Sequence, residues 1–182
     1  MRIADSWAVF ATACLGFSPV AVALTSCLGV KNAAAQIPGQ LVERIQQQSC
    51  HLGCEPRLHH WDRWGKEAVL EPLVEDATNS CDIPEFRQGA IDVIDGMFQA
   101  VSSQCDKKLD QNHLCAHPER LQPFVDCAKS TVSSLPFWDS VKLLRFASEK
   151  NCRCLKEYLT GDQIWEHFDK YFAAYTPRCH EL

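Results

Sequence analysis

The stretch TGDQIWEHFDKYFAAYTPRC, residues 160–179, contains the pattern that decides the fold class. Its apolar side chains recur every three or four residues, and the stretch closes on a cysteine. These apolar side chains are Ile164, Trp165, Phe168, Tyr171, Phe172 and Tyr175. Their spacing predicts an amphipathic helix with one buried face. Thr160 and Gln163 lie three residues apart just ahead of the apolar run, which predicts a capping box at the start of this helix.

The same periodicity recurs upstream and predicts further helices. One begins at Glu85, with Asp82 and Glu85 as its capping box and apolar side chains at positions 86, 90, 94, 97, 98 and 101. A second begins at His117 with apolar positions 121, 124, 125, 128 and 132, and a third begins at Pro136 with positions 137, 141, 144 and 147. Shorter helices are predicted over 40–48 and 66–76, the latter with a kink at Pro72. No run alternates for long enough to predict a strand, so the predicted class is all-α, a disulfide-stapled domain of about five to seven helices.

Composition restricts the classes of partner and the compartment. The chain has 182 residues and a formal net charge of −5, and its 23 acidic and 18 basic residues include no basic block. This balance argues against nucleic acid as a partner. Hydrophobic residues make up 46% of the chain, which is enough to bury a core. Eleven cysteines are many for this length and indicate an oxidising, extracellular compartment.

Residues 1–35 are predicted to be a signal peptide. An apolar stretch runs from Trp7 to Leu24, and the small residues that end at Ala35 suit signal peptidase, so Gln36 is the predicted first mature residue. Two other interpretations are a membrane anchor, because 18 apolar residues just span a bilayer, and a lipoprotein signal at Cys27. No later stretch is apolar enough to span a membrane. The predicted location is therefore secreted and extracellular.

Cleavage after Ala35 leaves nine cysteines, which an oxidising compartment pairs as disulfides. They are Cys50, Cys54, Cys81, Cys105, Cys115, Cys127, Cys152, Cys154 and Cys179. The pairing stays open, and an odd count predicts either one free thiol or a disulfide-linked dimer, unless cleavage lies upstream and retains Cys27. Cys152 and Cys154 are too close to pair with each other, so each is expected to reach a different helix. The domain 36–182 is either one unit or two packed helical units, about 36–110 and 111–182.

Four histidines are candidate metal ligands: His51, His59, His60 and His180. Neutral imidazole is a common ligand of copper and zinc, and residues 59–62 form the densest polar and aromatic cluster in the chain. Adjacent side chains point to different sides of a helix or strand, however, so the competing prediction is an exposed polar loop between residues 56 and 65. The residues alone predict weak Cu(II) binding and no resident cofactor.

Catalytic signatures are missing from the sequence, and no enzymatic activity is predicted. The nearest approach to a secreted phospholipase pattern is His60-Trp61-Asp62, which has an inserted residue and no flanking cysteine. A thiol nucleophile would need an unpaired Cys179 beside His180. We therefore predict a secreted binding or effector protein of the host-defence, salivary or venom-like type, whose partner is an unidentified extracellular protein.

A carrier of a small hydrophobic ligand is the alternative function, and a small lipid-cleaving enzyme is a third. In a carrier, part of the aromatic stripe of the last helix would line a cavity between helices. The candidate lining residues are Trp165, Phe168, Tyr171 and Phe172. Ordinary core packing is the competing explanation of this stripe. A carrier should contain a large cavity along the stripe, whereas an effector should have a filled core.

The segment from Tyr158 to Glu166, continuing to Cys179, resembles the last helix of the microplusin family. The spacing of the cysteines at 115, 127 and 152 is also similar to that of the family's first three cysteines. Microplusins are small secreted helical antimicrobial proteins of ticks that sequester copper and iron. The resemblance implies an antimicrobial-like helical protein with affinity for metals.

This chain departs from the family pattern in two places. The family's middle pair of cysteines is compressed here to Cys152 and Cys154, and its histidine-rich termini are missing, with only His180 near the end. Metal ligands therefore do not carry over from the family residue by residue.

Overall fold

The computed structural model describes residues 19–109, 113–135 and 146–182, and all regular structure within these ranges is helical. The elements are α1 (Pro19–Gln48), a π-helix π1 (Trp61–Leu70), α2 (Glu71–Ser80), α3 (Arg87–Cys105), α4 (Pro118–Ser134), α5 (Glu149–Thr160) and α6 (Asp162–Tyr175). Short 3₁₀ turns occupy Cys50–Leu52, Pro84–Phe86, Asp106–Lys108 and Thr176–Arg178. The predicted all-α class is confirmed. The helix predicted from Pro136 lies outside the described residues up to position 145.

The longest helix, α1, spans 30 residues, whereas the periodicity predicted a helix over 40–48 only. Its middle presents Ala33, Ala34 and Ala35 to the core, each less than a tenth exposed. Alanine is the best helix former, and its small side chain lets neighbouring helices approach. Gly39 also allows a close approach, because a β-carbon there would lie 3.0 Å from Cε of Lys129 on α4. The small residues of the predicted cleavage site thus lie in the interior.

The chain becomes helical at Trp61, so the exposed loop predicted between residues 56 and 65 is wrong from Trp61 onward. Trp61 stacks on Phe98 of α3 with 4.2 Å between ring centroids, and its indole N–H donates to Asp95 at 3.1 Å. Gly65 makes room for this ring, since a β-carbon there would lie 2.7 Å from Cε3 of Trp61. The π-helix continues directly into α2 at Glu71, and Pro72, which has no N–H to donate, lies at this change of helix type.

The two predicted capping boxes do not form. At the first, Asp82 adopts a left-handed φ of 58°, and α3 begins at Arg87 after a 3₁₀ turn. At the second, the Thr160 hydroxyl donates to the carbonyl of Lys156 at 2.9 Å, because Thr160 is the last residue of α5. Gly161, in an extended conformation, then joins α5 to α6. Asp82 thus belongs to the turn before α3, and Thr160 belongs to α5.

One main core collects the apolar faces of α4 and α6 against α1. The buried residues from α4 are Leu121, Phe124, Val125, Ala128 and Val132, and those from α6 are Ile164, Trp165, Phe168 and Phe172. Val42 and Ile45 of α1 complete this core at 7% and 6% exposed. The faces predicted for α4 and α6 are confirmed. The stripe predicted for α3 is divided, because Ala90 and Ile94 pack against π1 and α2 while Val101 joins the main core.

Five disulfides staple the described helices. They are Cys27–Cys152, Cys50–Cys115, Cys54–Cys179, Cys81–Cys154 and Cys105–Cys127. Cys152 reaches α1 and Cys154 reaches the end of α2, so these neighbours do tie to different helices. Every one of these five bridges joins a cysteine before residue 110 to one after it. The two candidate units are therefore covalently joined throughout and share the main core.

The partner of Cys152 bears on the predicted cleavage after Ala35. Cleavage there would remove Cys27 and the three buried alanines, whereas cleavage between Cys14 and Cys27 would keep an even number of cysteines. With Cys27 included, every cysteine among the described residues is paired within the chain, which leaves none of them for the free thiol or the dimer bridge. Within the same ranges, no helix has the length and apolar character needed to cross a membrane.

Candidate functional site: a histidine cleft

A polar cleft of about 330 Å³ lies where the loop before π1 meets the C-terminal turn, and we call it the histidine cleft. Its lining residues are Glu55, Arg57, His59, His60, Cys179, His180 and Leu182. The Cys54–Cys179 disulfide joins the loop to the C-terminal segment. Three of the four histidines predicted as metal ligands are therefore neighbours in space.

The loop that carries the cleft is held at several points. Gly53 ends the preceding 3₁₀ turn with a left-handed φ of 81°, a conformation that glycine adopts without steric cost. The amide of Leu114 donates to the carbonyl of Pro56 at 2.8 Å, and the Cys50–Cys115 disulfide ties the start of the loop to the same segment. These links hold residues 53–59 in place without regular secondary structure.

His60 is the most buried histidine of the cleft, at 7% exposed. Its Nδ1 lies 2.6 Å from the hydroxyl oxygen of Tyr175, whose ring packs 5.0 Å from the Trp64 ring. Burial, followed by nearby positive charges, lowers the pKa of His60 to about 4, so its imidazole is neutral at physiological pH. Burial also raises the pKa of Tyr175 to about 12, so the hydroxyl keeps its proton.

Arg57, His59 and Arg63 lie around this imidazole. The Arg57 guanidinium lies 3.7 Å from the Glu55 carboxylate, and the His59 ring stands edge-on to the neighbouring imidazole at 4.6 Å between centroids. Arg63, in the first turn of π1, donates to the main-chain oxygen of Leu182. Among the described residues that line the cleft, Glu55 is the one acidic side chain. Arg57 and Arg63 thus place positive charge beside His60, and Glu55 offsets part of it.

The structure separates the fourth predicted metal ligand from the other three. His51 is exposed in the Cys50–Leu52 turn and does not line the cleft. Cys179 is held in a disulfide and provides no thiolate. No group of three or more histidine, cysteine, aspartate or glutamate side chains within the described ranges is arranged to hold a metal ion.

The aromatic stripe predicted to line a ligand cavity lies in the main core. Trp165, Phe168 and Phe172 are each less than a tenth exposed, and Tyr171 packs at the edge of the core. The Phe168 ring centroid lies 5.5 Å from that of Trp165 and 6.1 Å from that of Phe172. These rings pack against one another and against the apolar side chains of α1 and α4.

A second polar cluster, which the sequence analysis missed, centres on Asp76 of α2. Its Oδ2 accepts a hydrogen bond from the Tyr158 hydroxyl at 2.8 Å and lies 3.1 Å from Nε2 of His167. Gln163 adds a longer contact at 3.4 Å. Burial and then the Asp76 hydrogen bond raise the pKa of Tyr158. His167 is therefore partly buried in a link between α2, α5 and α6.

A shallow groove of about 300 Å³ lies between α1 and α6. Arg44 stacks over the Trp165 ring at 4.9 Å and binds both carboxylate oxygens of Asp169 at 2.7 and 2.8 Å. Gln48 donates to the same carboxylate at 2.6 Å. Arg44 and Gln48 both bind Asp169, so this groove is part of the contact between α1 and α6.

The arrangements considered for catalysis do not come together. His60 faces Tyr175, while Asp62 accepts a hydrogen bond from Gln99 at 3.0 Å, so the His60-Trp61-Asp62 segment does not form a dyad. Cys179 cannot act with His180 as a nucleophile because it is disulfide-bonded. No family model, curated protein or solved structure matches this chain.

Proposed function

We propose that this protein is secreted and acts outside the cell as a binding or effector protein without catalysis. The observation that carries the proposal is the set of five disulfides, each of which joins a cysteine before residue 110 to one after it. Such bridges persist in oxidising compartments and are rare in the cytosol, where thiols stay reduced. A chain held together in this way is suited to work outside the cell.

Binding agrees better than catalysis with the polar groups of the molecule. In the histidine cleft, Nδ1 of His60 is bonded to Tyr175 and the sulfur of Cys179 is oxidised. In the Asp76 cluster, His167 is paired with the carboxylate, and no described hydroxyl or thiol is hydrogen-bonded to its ring. A nucleophile and its base need such a contact.

The host-defence, salivary or venom-like type is part of the same proposal. Small rigid domains with many disulfides are typical of extracellular effectors. The packing of Trp165, Phe168 and Phe172 into the core supports an effector that presents its surface over a carrier that encloses a ligand. The microplusin-like segment supports an antimicrobial-like role, whereas the geometry around His51 and His59 gives no support to metal sequestration.

Expression of the full chain in a eukaryotic secretory host tests the location. We expect the protein in the medium with every cysteine from Cys27 onward oxidised, as read by intact mass and peptide mapping. The matched control is a chain that begins at Cys27 and stays in the cytosol, where we expect free thiols. Retention of the full chain inside the cell with free thiols would contradict secretion.

A second assay tests the absence of catalysis. We expect no fatty-acid release when the purified oxidised protein is incubated with mixed phospholipid vesicles and calcium. His167→Ala serves as the control, because His167 belongs to the one described His–Asp pair. Release by the parent that His167→Ala abolishes would show that the protein is a lipid-cleaving enzyme.

A further inference from the structure

We infer that the histidine cleft binds an oxyanion, and that a phosphate monoester group is the chemical class that fits it best. The inference deepens the proposed function by giving the binding protein a site and a ligand class. It rests on that proposal only in the assumption that the chain acts by binding, and its test does not depend on secretion.

The hydrogen bond between His60 and Tyr175 has a defined direction. The Tyr175 hydroxyl is buried, at 5% exposed, and has no other hydrogen-bond partner among the described residues. Since a buried hydroxyl proton needs an acceptor, Tyr175 donates to Nδ1 of His60. A neutral imidazole with an accepting Nδ1 carries its proton on Nε2. His60 is therefore fixed as an Nε2–H donor.

The Nε2–H group of His60 faces the histidine cleft. His60 is more than nine-tenths buried, and its Nε2 has no hydrogen-bond partner among the described residues. No fully buried side-chain nitrogen or oxygen in those residues lacks a partner, so Nε2 must meet solvent, and the space beside His60 is the cleft. An oriented N–H group that faces a polar cleft is suited to an acceptor supplied by a ligand.

Charged side chains lie near the Nε2–H group of His60. Arg57 lines the same space, and Arg63 lies close enough to lower the pKa of His60, while its guanidinium also donates to the main-chain oxygen of Leu182. The start of π1 lies next to this group, and the amide groups at a helix start add positive potential. The Glu55 carboxylate, 3.7 Å from Arg57, offsets part of this charge without forming a close bidentate pair.

This electrostatic setting favours an anion over a metal cation. Arg57 and Arg63 carry positive charge at any physiological pH and repel a cation placed beside His60. With its proton on Nε2, His60 offers no lone pair to a metal from the cleft side. Among the described residues no set of three suitable ligands is available here, whereas donors for an oxyanion are.

Donors on several sides of one space favour phosphate over a planar carboxylate. A phosphate monoester carries close to two negative charges and three acceptor oxygens in a tetrahedral arrangement. Arg57 and the histidine side chains approach the cleft from the loop and from the C-terminal segment, so they can each bind a different oxygen. A volume of about 330 Å³ accommodates such a group together with a small attached moiety.

Titration calorimetry with inorganic phosphate on the oxidised protein tests the inference. We expect saturable binding that weakens about tenfold or more in Arg57→Gln, because a charge-assisted hydrogen bond is lost. The matched control is Arg153→Gln, which removes the same charge on α5, next to the Cys27–Cys152 bridge at the opposite end of α1. We expect the control to change the dissociation constant by less than about twofold. No saturable binding, or equal losses in both variants, would overturn the inference.

Long-range ¹H–¹⁵N NMR of the histidine rings gives a readout that a general charge effect does not produce. We expect the Nε2–H form of His60 in the free protein and a shift of that nitrogen on addition of phosphate. The Nδ1–H form, an unmoved His60 resonance at saturation, or stoichiometric Cu(II) binding that excludes phosphate would each overturn the inference.

Vesicles of phosphatidylcholine with phosphatidic acid distinguish the source of the phosphate group. Competition between these vesicles and inorganic phosphate indicates a lipid headgroup, and its absence indicates a soluble phosphate ester. Vesicle binding in the absence of any binding of inorganic phosphate would overturn the inference, because adsorption to a charged surface explains it.

Discussion

The double substitution Cys27→Ala and Cys152→Ala opens the bridge that ties the N-terminal part of α1 to α5. The two cysteines are 125 residues apart, but Cys54–Cys179 already shortens the connection between them. The shortest covalent path that remains covers the 27 residues from Cys27 to Cys54 and the 27 from Cys179 back to Cys152. Closing a loop of about 54 residues stabilises a folded protein by about 4 kcal/mol, through the entropy that the unfolded chain loses.

We therefore expect the double variant to lose about 4 kcal/mol of unfolding free energy and about 8–16 °C in melting temperature. Urea unfolding followed by far-UV circular dichroism measures the free energy, and tryptophan fluorescence checks that the transition is two-state. Leu28→Ala is the matched control, because Leu28 is 58% exposed on the same part of α1. It should change the unfolding free energy by less than about 0.5 kcal/mol.

A double variant that stays within about 1 kcal/mol of the parent would refute this reasoning. A chain that begins at Gln36 provides a second test, since it lacks Cys27 and the buried Ala33, Ala34 and Ala35. It should be destabilised at least as much as the double variant. If this shorter chain is as stable as the full one, the part of α1 upstream of Gln36 does not contribute to the fold.

Three further predictions concern the core, the histidine cleft and the surface. Leu121→Ala, at a residue 2% exposed in the main core, should lower the unfolding free energy in urea by about 2–5 kcal/mol, whereas Leu52→Ala, at a residue 71% exposed, should change it by less than about 0.5 kcal/mol. Between pH 6.5 and about 4 the folded state holds fewer protons on His60 than the unfolded state, so stability falls as pH drops through this window. The parent should lose about 1–2 kcal/mol more than His60→Gln over that range, and parallel pH profiles of the two proteins would contradict this assignment. Asp169→Asn weakens the pair with Arg44, which lies at 2.7 Å but is partly exposed, so a loss of about 0.2–1 kcal/mol is expected in the same assay, and a loss above about 2 kcal/mol would mean that the pair acts as a buried one.

The helical class and the buried faces of the helices that form the main core could be predicted from the sequence. On α4 and α6, apolar residues at three- and four-residue spacing, such as Phe124 with Ala128 and Phe168 with Phe172, are the residues that the fold buries. This worked because helix periodicity is a local property, repeated on every turn. The cysteine content likewise indicated a stapled domain, since it reflects composition and not geometry.

The ends of helices were less predictable than their faces. Thr160 has the spacing of a cap, yet it closes α5, and Asp82 turns the chain before α3 begins. The helix at Trp61 was missed because its stability depends on stacking against Phe98, a residue on another helix. The local sequence favours one conformation, and packing against distant residues determines whether the chain adopts it.

The pairing of the cysteines and the contacts between distant polar groups depend on the tertiary fold. The partner of Cys152 lies 125 residues away, and Tyr158 finds Asp76 across 82 residues. The histidine cleft depends in the same way on Tyr175, which stands 115 residues from His60 and orients its imidazole. Such contacts depend on how long helices pack around a shared core, and this packing minimises exposed apolar surface over the whole chain at once. No local spacing contains that information, because each contact is a consequence of all the others.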